Sequence, residues 1–173
     1  QKQAEESLVK ARSITIQNVI DTFLREYIDD KKENIKYDEH GKVVSFNIIK
    51  GNRKEKGQKE CRRLLHRGVV DSIGQTSAIE VTHNEIHELV MNSVRACHMV
   101  KARNILSELS LAFDYCIGAS DLLPENFINP CLQVKQNLKL AKIKTTPKKG
   151  KRFLTDGEIS SFQKWLPTSR YTQ

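Results

Sequence analysis

His83 and His87 stand four residues apart, a spacing that puts both imidazoles on one face of a helix, as a zinc site would require. The zinc-protease pattern also needs a Glu directly after the first His. Here the order is His83-Asn84-Glu85-Ile86-His87, and Glu85 instead completes a capping box with Thr82. The pair reads as solvated surface histidines. Cys61, Cys97, Cys116 and Cys131 contain no CxxC pair, and three of them fall on apolar helix faces, so they read as small, reduced hydrophobes and not as a metal framework. No Gly-rich phosphate loop is present, no Ser or Cys nucleophile has a local base, and the four tyrosines lack basic activators. The expectation is a chain without catalytic residues, cofactor, metal or small-molecule substrate.

Basic residues carry the remaining chemistry. Lys135, Lys139, Lys142, Lys144, Lys148, Lys149, Lys151 and Arg152 lie within the 22 residues from Cys131 to Arg152, with no acid among them. The chain holds 29 Lys and Arg against 21 Asp and Glu, so removing these eight leaves the rest neutral. Such a tract repels itself unless a polyanion neutralises it, which points to nucleic acid; a solvated spacer is the competing reading. Lys135, Lys139 and Lys142 share a helical face opposite Val134, Leu138 and Ala141. Beyond Lys142, Thr146 before Pro147 favours an extended path suited to a phosphate backbone. Arg62, Arg63, Arg67, Lys101 and Arg103 form a second set, on the polar sides of two predicted helices. Helices of this kind enter a major groove, where Arg or Lys reads guanine edges. Ordinary surface charge is the alternative for each of them.

The elements that must position these groups are mostly helical. Ile16, Val19, Ile20, Phe23, Leu24, Tyr27 and Ile28 recur at three- and four-residue spacing, predicting a helix over 15–28. Residues 29–59 turn charged, with short apolar runs at 35–37 and 43–49 around Asp38-Glu39-His40-Gly41, the pattern of a small β-hairpin; a charged loop is the alternative. Helical spacing returns at 61–74, weakened by Gly68. Thr82 opens a further helix, and a long one spans 99–117 with Gly118 in the place of a terminal glycine. Residues 121–130 are turn-rich. Thr155-Asp156-Gly157-Glu158 is a second capping box, opening a helix whose Ile159, Phe162, Trp165 and Leu166 cannot be buried by that helix alone.

No apolar run approaches the ~20 residues of a membrane helix, and the chain opens QKQAEESLVK without a signal-peptide pattern. A fragment of a larger protein is expected, with residues 1–14 as a linker from a preceding domain.

The order of elements resembles the phage integrases, the tyrosine site-specific recombinases. CRRLLHRGVVDSIGQTSAIEVTHNEIHELV is similar to that family's core-binding domain, with its arginine-bearing helix, Gly-containing turn and I-x-x-I/V-T step. Val100 through Phe113 resembles the family's long helix, Asn129-Pro130 matches the Asn-Pro that closes it, and RFLTDGEISSFQKWLP resembles the opening of the catalytic domain. The resemblance covers about residues 15–170 and is closest to prophage and genomic-island integrases. It implies an all-α, SAM-like bundle over 15–130, an extended basic interdomain linker over 131–151, and the start of a catalytic domain over 152–173. It also implies a bacterial cytoplasmic protein that clamps one side of a recombination core site on double-stranded DNA and associates with its own copies there. Arg62, Arg63, Lys101, Arg103 and Asn104 fall on helices that the family presents to the major groove. The family's catalytic arginines and tyrosine nucleophile lie well downstream of such a stretch, so Tyr171 is not that nucleophile. The 29–59 insert departs from the family pattern. Two further readings stand beside this one: a non-recombinase helical nucleic-acid-binding module, and a helical protein-interaction domain with a solvated basic tail.

Overall fold

The computed structural model describes residues 13–143, 145, 150 and 152–168. It is mostly helical, with one small antiparallel sheet of two strands. Helix α1 (Ile16–Phe23) starts at Thr15, whose Oγ1 accepts from the Asn18 amide while Asn18 Oδ1 accepts from the Thr15 amide. It widens into one π-turn over Leu24–Ile28. Every apolar residue of the predicted stripe except Tyr27 is fully buried.

The expected hairpin is present, longer than the apolar runs implied: β1 (Lys31–Tyr37) pairs with β2 (Val43–Ile49). Its turn is held by Asp38, whose Oδ1 accepts from the amides of His40 and Lys42, and Gly41 takes the left-handed conformation (φ 74°) that the turn requires. Helix α2 (Glu55–Leu65) begins six residues before the first apolar position, Cys61, then passes through a second π-turn (His66–Val70) and one last turn (Asp71–Ile73). Its early part was hidden in the sequence because residues 55–60 are polar or charged all round and Lys54 provides no side-chain cap. Gly68 has a packing role: a Cβ there would lie 2.8 Å from Ile105 Cδ1.

Helix α3 (His83–Arg95) carries the expected capping box between Thr82 and Glu85. Helix α4 (Met99–Gly118) is the spine of the bundle and touches α1, α2, α3 and α5. Its Ala102, Ile105, Leu106, Leu109, Ala112, Phe113 and Cys116 are all buried. Each large apolar side chain buried this way contributes roughly 1.5–3 kcal/mol. Gly118 does not form a left-handed cap; the helix closes at Ala119.

Two expectations need correction here. Asn129-Pro130 does not close the long helix but opens α5 (Pro130–Leu140), with Asn129 as its cap and Pro130 in its first turn. The stretch from residue 131 is helical up to Leu140, as the shared face of Lys135 and Lys139 implied, but it belongs to the bundle and not to a linker outside it. Cys131, Val134 and Leu138 are buried in the common core, because their spacing lays one apolar stripe against α3 and α4. Helix α6 (Asp156–Trp165) starts at Thr155 as expected and buries no residue. No helix among the described residues is long and apolar enough to cross a membrane.

Candidate nucleic-acid interface

Helices α4 and α5 run antiparallel, and a buried amide fixes their register. Asn129 Nδ2 donates to the Ser110 carbonyl (2.9 Å) and to Asp114 Oδ1 (2.7 Å), while its Oδ1 accepts from the Cys131 amide (2.9 Å). One turn further, Lys135 Nζ donates to Ser110 Oγ at 2.7 Å. Beyond that point the helices part around a groove of about 580 Å³. Arg103 from α4, Lys135 and Lys139 from α5, and Lys142 just past its end line it, and no carboxylate does so among the described residues. Leu106, Leu138 and Ile143 supply an apolar part of the wall.

The end of α5 shapes the rim. Lys142 takes the left-handed conformation (φ 54°), its amide donates to the Lys139 carbonyl (3.1 Å), and the Ile143 amide reaches back to the Leu138 carbonyl (3.0 Å). This is a Schellman closure with Lys where Gly is usual, and it brings Ile143 back against Leu138. None of the four cations has a carboxylate partner among the described residues.

The other predicted residues separate into distinct places. Arg62 is ion-paired with Asp29, and Arg63 with Glu60 at 2.6 Å. The Arg63 hydrogen bond holds the Glu60 carboxyl below its ordinary range. Arg67 lies in the π-turn that follows α2, and Lys101 stands away from Arg103 around α4. Lys101, Asn104 and Glu108 follow at three- and four-residue spacing on the flank facing α2, where Gly68 abuts Ile105. Two residues along a helix are about 200° around it, so Lys101 and Arg103 cannot share a surface. Arg152 is ion-paired with Glu158, in the first turn of α6. Lys144, Lys148, Lys149 and Lys151 lie outside the described residues, as does most of the extended path expected beyond Lys142.

His83 is exposed and His87 half-buried, and among the described residues no group of three or more His, Cys, Asp or Glu side chains is placed to hold a metal. Cys61, Cys116 and Cys131 are buried, and burial pushes their thiols up to about 12, 11 and 12 respectively; Cys97 is exposed.

A second basic element was not singled out in the sequence. Lys31, Lys32, Lys36 and Lys42 of the hairpin are exposed and lack carboxylate partners among the described residues. Its base is clasped by Asp30, which accepts from the Gly51 amide (2.9 Å), Gln58 Nε2 (2.8 Å) and Lys50 Nζ (3.2 Å). Those bonds, the Gly51 amide foremost, hold the Asp30 carboxyl below its ordinary value. Composition concealed this element because acids elsewhere balance its lysines.

Comparisons of the chain with protein-family models, with curated proteins and with solved structures return no match.

Proposed function

We propose that this chain is a duplex-DNA-binding module of a phage-type tyrosine recombinase, and that the α4–α5 groove is its grip on the phosphate backbone. The observation that carries the DNA reading is the convergence of Arg103, Lys135, Lys139 and Lys142 on one groove lined by no acid among the described residues. A cationic rim beside an apolar wall suits phosphates next to the less polar edge of deoxyribose, the contacts that position a protein on DNA without reading sequence. The order of sequence motifs supports the recombinase assignment, and the helical bundle is compatible with its SAM-like core-binding domain. The module positions a core site for breakage and rejoining by a tyrosine nucleophile elsewhere in the enzyme, and copies of the protein meet on that DNA in the bacterial cytoplasm.

The test is duplex binding by the chain across a salt series. Log affinity should fall linearly with log salt, and Lys135→Gln with Lys139→Gln should reduce the slope by about 2, near 0.9 per phosphate released. No duplex binding at low salt overturns the DNA reading, and an unchanged slope overturns the groove. The coding sequence beyond residue 173 separates a recombinase from other DNA-binding modules: it must supply an Arg shortly downstream and a Tyr near the end of the protein.

A further inference from the structure

The hairpin divides its side chains unevenly between its two faces, and a bulge is the cause. Lys31 pairs with Ile49, Glu33 with Asn47 and Lys36 with Ser45, so in β1 the two residues Asn34 and Ile35 lie opposite Phe46 alone. Asn34 is left-handed (φ 52°), a conformation Asn tolerates better than most residues. Strict alternation from Glu33 would send Lys36 to the opposite face. The extra residue returns it to the face that carries Lys31, Glu33, Ser45, Asn47 and Ile49.

The opposite face holds Phe46 and Ile48, with Lys32 Nζ 4.4 Å from the Phe46 ring centroid, and a second register shift between Lys36 and Tyr37 leaves Val44 outside the paired positions. One face is thus mostly polar and equipped with hydrogen-bonding groups, with the exposed Ile49 at its base, and the other is apolar and partly covered by its own lysine. The polar face has no second layer over it, since every described residue of the hairpin is exposed. The Asp30 clasp at its base and the ion pair of Arg53 with Glu108 fix the ribbon to the bundle.

We infer that the polar face of this ribbon enters the major groove of duplex DNA and reads base edges there. The inference rests on the DNA-binding reading and adds a sequence-reading element to it. A two-stranded ribbon fits a major groove about 12 Å wide. Asn47 carries the amide that pairs with adenine, Lys36 the ammonium that reaches guanine, and Glu33 the acceptor that meets the cytosine amine. Lys31 at the open end and Lys42 at the turn flank this set and reach phosphates. With Glu33 offsetting one of the two face lysines, the ribbon contributes sequence preference, while the α4–α5 groove supplies the salt-dependent grip.

The experiment uses the whole chain and a randomised duplex pool, followed by affinity measurement on the selected sequence. Asn47→Ala and Lys36→Gln should each lower affinity for that sequence by roughly tenfold and relax selection at one base pair. Lys32→Gln, on the opposite face, should change neither. Deleting Asn34 removes the bulge and should abolish the preference while weaker, non-selective binding remains. All these positions are exposed, so unchanged melting of the bundle serves as the folding check. Selection of the same sequence with undiminished affinity by Asn47→Ala and Lys36→Gln overturns the inference alone, because the wild-type chain and its groove variants then still report DNA binding. Failure of the wild-type chain to bind any duplex overturns both.

Discussion

Arg53 donates from one guanidinium nitrogen to both carboxylate oxygens of Glu108, 2.9 Å to each, joining the base of the hairpin to the helix that also carries Arg103. Both partners are largely shielded, with side-chain exposures of 33% and 14%. Glu108→Gln therefore leaves the guanidinium without its counter-charge and should cost about 1–2 kcal/mol, read as a shift in denaturant midpoint. Amides of residues 31–49 should exchange faster in the same variant, and unchanged exchange there would show that the Asp30 clasp alone holds the ribbon.

Lys142 offers the opposite sign. Its left-handed backbone costs a non-glycine residue about 1 kcal/mol or more, so Lys142→Gly should raise the melting temperature. The same change removes one groove cation, so duplex binding should weaken while stability rises. A variant that becomes both less stable and weaker in binding would contradict the Schellman geometry.

Phe113 is fully buried on the spine helix, and Phe113→Ala should cost about 3–5 kcal/mol. Removing the Thr82 cap as Thr82→Ala should cost about 1 kcal/mol. Chemical denaturation of the two variants checks the order, which reverses if α4 is not the centre of the core.

The buried thiols set an alkaline limit. In the unfolded chain Cys131 ionises near its ordinary 9.0, whereas folded it keeps its proton to about 12. The unfolded state then binds fewer protons, so stability is complete below pH 9 and declines between 9 and 12. Cys131→Ala should flatten that decline by up to ~1.4 kcal/mol per pH unit, measured as the difference from wild type. Before unfolding, an alkylating reagent at pH 8 should modify Cys97 and leave Cys61, Cys116 and Cys131 unreacted.

Local chemistry was legible in the sequence, and long-range placement was not. The capping boxes at Thr82 and Thr155, the apolar stripes of α1 and α4 and the hairpin turn at Asp38 are all signals contained within a few residues. The first turns of α2 gave none, because their charged residues face solvent throughout. The lysines of α5 masked Cys131, Val134 and Leu138, which mark a core helix only once α3 and α4 are there to receive them. In the candidate interface, Arg103 was named with Lys101 and Asn104 because they are neighbours in the chain. Its companions in space are lysines more than thirty positions away, brought close by the antiparallel return of the backbone. The polar face of the hairpin depends on Asn34, and a bulge has no signature in alternation except its failure.

Asn129 is 4% exposed and stands outside the groove, yet it both starts the helix that bears Lys135 and Lys139 and leads into Lys142, and holds that helix to the one bearing Arg103. Charge spacing is thus a property of the core, decoupled from the residues that carry the charge. Drift at the surface could replace one cation by another without altering the pitch at which they meet a polyanion. Asn129→Ala would change that pitch with every cation still in place.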